Sequence, residues 1–209
     1  MNGLDVSTNG DCGFLPSELR ALRSLKTPHK IQHFLNLIPY HHANTAWSPR
    51  LVLKHRTAHC LEGALFAAAA LRVNGFEPLL FDLEAVQDVD HVLALFTVDG
   101  HWGAIGKSNY AGLRYREPVY RSLRELAMSY FDDYYNLRGE RTLRGYSKPL
   151  NLRRFDSIRW MTTDEPLWAI PEALVTTPHV PLISYSQATR LNRLDRRKFD
   201  SGLVGHIKH

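Results

Sequence analysis

The run Ala64-Leu65-Phe66-Ala67-Ala68-Ala69-Ala70-Leu71 constrains the fold more than any other stretch of the chain. It is rich in the best helix formers, and Asn74-Gly75 supplies a left-handed stop, so the pattern predicts a helix from about Thr57 or His59 to Gly75. A surface helix keeps one polar face. This one has none over residues 64–71, and a helix that is apolar all round belongs either in the middle of a domain or in a bilayer. The run falls far short of the roughly 20 residues that cross hydrocarbon, which excludes a membrane span and leaves the domain centre. Something must then cover the helix on every side. Pro78–Leu83 and His91–Val98 read as strands apolar on both faces, and Asp99-Gly100 is a hairpin turn leading into His101–Ile105. The expected fold class is α+β, with one buried helix packed on an antiparallel sheet.

Other segments fill in around this centre. Leu19, Leu22, Leu25, Ile31, Phe34, Leu35 and Ile38 recur at helical spacing, which predicts two short amphipathic helices between Ser17 and Leu37, separated by Thr27-Pro28 and closed by Pro39. Tyr40 to Pro49, with its Ser48-Pro49 pair, reads as a loop. Ser122–Tyr135 reads as a second long helix. Beyond residue 150, Pro166, Pro171, Pro178 and Pro181 punctuate short apolar runs, and Arg190 to Lys198, interleaved with Leu191, Leu194 and Asp195, reads as a partly amphipathic surface helix. With 209 residues, a single structural domain is expected, residues 1–150 forming the core with its N-terminal helices and residues 151–209 an extension packed on it.

Composition narrows the function classes. The only two cysteines, Cys12 and Cys60, exclude a disulfide-stapled scaffold and a four-thiolate zinc site. A net charge of +5 gives mild attraction to anions without a concentrated patch, so no nucleic-acid partner is expected. The cation and aromatic mixture from Leu113 to Arg121 includes Glu117 and reads as an internal salt-bridged connector. Arg114 or Arg116 remain alternatives for gripping a substrate carboxylate. The start MNGLDVSTNGDCGF has neither a basic n-region nor an apolar run, which points to the cytoplasm. Eleven histidines invite a metal reading, but none forms a His-Glu-x-x-His helix. His55 and His59 are four apart, but Arg56 and Thr57 fall between them, before the expected helix start. No metal and no cofactor are expected.

Cys60 falls in the first turn of the buried helix, where unpaired N–H groups and the positive dipole end favour a thiolate and, after attack, an oxyanion. His91 opens a strand whose next residues are all apolar, so its imidazole needs a specific partner. A cysteine nucleophile needs a base, usually histidine, and a third group to fix the ring. Across the Asp99-Gly100 turn, paired residue numbers sum to 199, which sets His91 opposite Ser108 with Asn109 beside it.

The order of these residues resembles that of a known family. Arg56-Thr57-Ala58-His59-Cys60-Leu61-Glu62-Gly63-Ala64, continuing to Leu71-Arg72-Val73-Asn74-Gly75-Phe76, is similar to the transglutaminase-like segment in which a cysteine opens a helix. Asp90-His91-Val92 and Gly100-His101-Trp102-Gly103 look like that family's histidine strand and the strand after it. The resemblance covers residues 45–110. It implies a papain-like α+β fold and a triad acting on an acyl group, with Cys60 as nucleophile, His91 as base and Asn109 as the third member. Ser108 is the rival for that place, where the family usually has aspartate. Asn44 and Trp47, in the preceding loop, are candidate oxyanion donors. The implied function is a thiol-dependent hydrolase or acyltransferase working on an amide or peptide-like bond of a peptide, protein or small amide. The alternative is an inactive binding or scaffolding domain on the same fold.

Overall fold

The structure, a computed structural model, describes residues 12–204. The leader reading rests on the first residues of the chain, and residues 1–11 lie outside that range. The N-terminal pair forms as the spacing predicts: α1 spans Pro16–Ser24 and α2 spans Pro28–Leu37, the latter started by the Thr27 hydroxyl, which accepts from the Lys30 amide. Ser48-Pro49 does more than end a loop. Ser48 caps a helix, α3, over Pro49–His55, with proline at its first position, an arrangement the pair itself encodes. The central helix, α4, spans Cys60–Val73, and all eight residues from Ala64 to Leu71 are fully buried.

Seven antiparallel strands form one sheet: β1 Leu79–Ala85, β2 His91–Val98, β3 His101–Ile105, β4 Arg116–Tyr120, β5 Leu143–Ser147, β6 Leu150–Asn151 and β7 His179–Pro181. Their order is β4-β3-β2-β1-β5-β7, with β6 also pairing with β1. Leu80, Val92, Ala94 and Phe96 join α4 in one apolar layer, while Phe81, Leu83, Leu93 and Leu95 join a second layer with Leu126, Tyr130 and Tyr134. That explains strands apolar on both faces, since each face is covered. The layout is α+β.

The hairpin holds its expected register from Val98↔His101 to Ala94↔Ile105, and there the ladder stops. The chain leaves the sheet because α2 captures it. The Gly106 amide donates to Gln32 Oε1 at 3.1 Å, and Gln32 Nε2 donates to the Gly106 carbonyl at 2.9 Å. The buried Lys107 ammonium then donates to the carbonyls of Leu35 and Ile38 at 2.8 and 2.6 Å, at the end of α2 where carbonyls lack helical partners. Because the β2–β3 ladder ends at Ala94↔Ile105, the expected pairing of His91 with Ser108 does not form; on its other side His91 pairs with Leu83 of β1.

Three other expectations change in detail. The long helix over Ser122–Tyr135 is shorter, with α5 at Leu123–Met128 followed by a 3-10 turn at Phe131–Asp133. The 113–121 connector holds an edge strand, β4. Within the later segment, α6 spans Ala169–Thr176, α7 Tyr185–Ala188 and α8 Arg196–Gly202, so the basic run is not one helix. That segment supplies β7 to the sheet and buries Trp160 and Ile170 in the α4 layer. Arg72 and Asp156, joined by two hydrogen bonds at 2.5 and 2.8 Å, pin it to the end of α4. No helix among the described residues is long and apolar enough to cross a membrane.

Candidate active site

A cavity of about 360 Å³ opens at the end of the sheet where α4 begins, and Cys60, His91, Ser108 and Asn109 all line it, with Tyr40, Tyr110 and Tyr134. Cys60 is the first residue of α4 and His91 the first of β2, so the two elements that make the core also deliver these side chains to one place. The amides of Leu61 and Val92 and the Tyr40 hydroxyl favour a thiolate at Cys60, but burial outweighs them and pushes the thiol above its ordinary value. The helix terminus therefore does not by itself produce the thiolate expected there. At neutral pH the resting group is a thiol.

Burial also drives His91 down to about 4, so its ring is neutral. Its Nε2 lies 2.8 Å from the Leu113 carbonyl, an acceptor only, so Nε2 carries the proton and Nδ1 the lone pair. Among the described residues no buried side-chain nitrogen or oxygen lacks a partner, and His91 makes no second hydrogen bond, so Nδ1 is reached from the cavity. No hydrogen bond joins the ring to Cys60 among the described residues. The pair at rest is a neutral thiol and a neutral base.

The third place is where the structure departs from the sequence expectation. The Asn109 amide nitrogen lies 3.4 Å from His42 Nε2, and the Ser108 hydroxyl accepts from the Tyr110 amide at 3.0 Å. Neither bonds the His91 ring. The capture of Gly106 and Lys107 by α2 carries both residues off the extrapolated strand, and a backbone carbonyl takes their position. Gly106 makes room for it: a Cβ there would lie 3.1 Å from His91 Nε2, 3.0 Å from the Leu113 oxygen and 2.5 Å from Leu93 Cδ2. Gly106→Ala is expected to cost about 1–3 kcal/mol through this overpacking, read from urea unfolding midpoints.

Beneath the helix terminus lies a residue the sequence reading passed over. Glu62 is fully buried, and its carboxylate accepts from the Thr45 hydroxyl at 2.6 Å, the Trp47 amide at 3.2 Å and the His59 amide at 3.2 Å, with His41 Nδ1 at 3.1 Å. It ties the 41–47 loop to the start of α4. One carboxylate in the first turn of an otherwise apolar helix is the signal that pointed to it. The Trp47 ring is occupied by His41 and His55 at 4.3 and 4.7 Å, and neither Asn44 nor Trp47 lines the cavity, so the structure does not bring these candidate oxyanion donors to Cys60. His59 Nε2 lies 2.8 Å from the Thr45 carbonyl, and no group of three metal-capable side chains occurs among the described residues.

A second ionisable pair, a buried aspartate with a half-buried histidine, lies nearby. Asp82, partnered with Val92 across the sheet and 3.2 Å from His179 Nε2, is pushed up to about 6, chiefly by burial. Asp82 and His91 act on stability with opposite signs. Between pH 6.5 and 4 the unfolded chain takes a proton at His91 that the folded chain refuses, so the fold loses on the order of 3 kcal/mol as pH falls through that window. Between about pH 6 and 3.8 the folded chain keeps a proton on Asp82 that the unfolded chain has lost, so this contribution rises as pH falls. Asp82→Asn is expected to steepen the acid loss and His91→Gln to flatten or invert it, measured as urea midpoints across that range.

No protein-family model matches the chain, and no curated protein matches it.

Proposed function

We propose that the protein is a thiol-dependent hydrolase or acyltransferase on a papain-like fold, with Cys60 as nucleophile and His91 as base. The observation that carries this reading is the shared cavity, which is lined by a half-buried cysteine at a helix start and by an imidazole whose second nitrogen faces the same space. The transglutaminase-like order of residues 45–110 supports it. In the proposed reaction the Cys60 proton passes to His91 Nδ1 as sulfur attacks an acyl carbon. The resulting oxyanion is met by the backbone N–H groups at the start of α4. Collapse expels the amine or alcohol, which takes the proton back from Nδ1. Water or an amine then gives a proton to Nδ1 and attacks the thioester; the sulfur–carbon bond breaks, and the departing sulfur takes that proton from Nδ1, which restores the neutral pair. In this pair the base is unprotonated when the acyl group arrives, and the proton moves only as the forming sulfur–carbon bond acidifies the thiol. A cavity of about 360 Å³ is at the small end of ligand sites, room enough for a protein side chain, part of a peptide or a small amide.

The test uses p-nitrophenyl acetate as the acyl donor and intact-mass spectrometry as the readout. One acetyl group on Cys60 is expected, absent in Cys60→Ala and retained in Cys12→Ala. The absence of a hydrogen bond between thiol and ring, together with the raised thiol, favours a second reading, an inert binding module. Equal labelling of Cys60 in the wild type and in His91→Ala would establish that reading and end the first.

A further inference from the structure

The His91 ring is fixed by a main-chain oxygen, and a main-chain oxygen points only where its peptide is held. The peptides around Leu113 are held with unusual thoroughness. On one side, Arg116 Nη2 donates to the Gly112 carbonyl at 2.9 Å, and its Nη1 reaches past Leu113 to the Tyr115 carbonyl at 3.1 Å. On the other side, the Tyr130 hydroxyl donates to the Arg114 carbonyl at 2.9 Å. Arg116 lies over the Tyr130 ring, 3.9 Å from its centroid, so the two side chains brace each other. Nε and Nη2 of Arg116 also bond Ser129, and Nη2 reaches Asp133 at 3.3 Å, which leaves the guanidinium little freedom. Gly112 has no space for a side chain, because Asp133 occupies the position a Cβ would take.

We propose that Arg116 and Tyr130 are positioning residues for His91. By gripping the carbonyls on either side of Leu113, they aim the Leu113 oxygen at Nε2, which keeps the proton there and leaves Nδ1 open to the cavity. The role that a carboxylate or carboxamide side chain fills in other triads falls here to a braced peptide. This inference rests on the hydrolase or acyltransferase reading for its consequence, but its geometry is independent of that reading.

The experiment uses the full-length protein labelled with ¹⁵N and long-range proton–nitrogen correlation of the His91 ring, assigned by its loss in His91→Gln. In the wild type at pH 7, a protonated Nε2 and an unprotonated Nδ1 are expected. Tyr130→Phe, which removes one hydroxyl from a buried ring, and Arg116→Gln are expected to shift the ring toward a mixture of tautomers. Arg116→Lys is expected to recover part of the wild-type signature. Cys60 acylation by p-nitrophenyl acetate should fall about 5- to 30-fold in Tyr130→Phe, a loss in the range of one weakened acid–base contact. A wild-type ring protonated at Nδ1 overturns the inference without any variant. So does an unchanged tautomer in a folded Tyr130→Phe protein. If the tautomer responds but wild-type Cys60 takes no acetyl group, the positioning inference stands and the proposed activity falls.

Discussion

Glu62→Ala is expected to destabilise the protein by about 3–5 kcal/mol, the range for removing one member of a buried charged network. The carboxylate is fully buried and serves as the common acceptor for Thr45, His59 and Trp47, with His41 against it. Alanine leaves those part-buried donors without their acceptor, and each unsatisfied group costs about 1–3 kcal/mol, partly relieved by water and by rearrangement of the 41–47 loop. Glu62→Gln keeps the volume but sets an amide donor against one of the existing donors, so a smaller loss of about 1–2 kcal/mol is expected. Urea unfolding followed by circular dichroism separates the two variants. A loss below about 1 kcal/mol in Glu62→Ala would put it among ordinary surface changes and dismiss the hub. Because the same loop carries Tyr40 to the Cys60 cavity, the alanine variant should also alkylate faster at Cys60 as water gains entry to the thiol.

The second large effect concerns His91, the base of the proposed reaction. His91→Ala is expected to slow acylation of Cys60 at pH 7 by about 10²–10⁴-fold, the span of general-base contributions. The pH profile is more telling than the size. In the wild type the rate should hold down to the neighbourhood of pH 4, where the buried imidazole at last takes a proton. In the variant only thiolate can react. Burial holds that thiol above its ordinary value, so the rate should climb about tenfold per pH unit through the neutral range. A wild-type rate that climbs in the same way would mean that the ring never receives the proton.

Much of this arrangement was legible in the residues. The apolar run at 64–71 could only be a buried helix, and strands without a polar face could only be covered on both sides. The Asp99-Gly100 turn set a register that holds over five pairs, from Val98↔His101 to Ala94↔Ile105. The extrapolation of that register failed at Gly106 for a reason outside the hairpin. Gln32, 74 residues earlier, satisfies the Gly106 backbone in place of a neighbouring strand, and periodicity within the hairpin carries no trace of it. The group that holds His91 was illegible on different grounds. Sequence reading looks for a side chain able to orient an imidazole, and the carbonyl of Leu113 belongs to the main chain that every residue shares. Asn109 and Ser108 were the natural candidates by type, and the structure turns them to His42 and to the Tyr110 amide. Glu62 was legible in hindsight, because a charged residue beside an all-apolar run needs an account wherever it occurs.

The ion pair between Lys198 of α8 and Asp133 links the far end of the described chain to the peptide beside Leu113, since Asp133 packs on Gly112 and bonds Arg116. A ribosome makes the chain from one end. Cys60, His91 and Leu113 emerge more than 80 residues before Lys198 arrives. During that interval the peptide beside Leu113 lacks the support that Lys198 gives to Asp133. Among the described residues the α8 contact is thus the latest-made support of that peptide, and loosening α8 is expected to loosen the peptide beside Leu113.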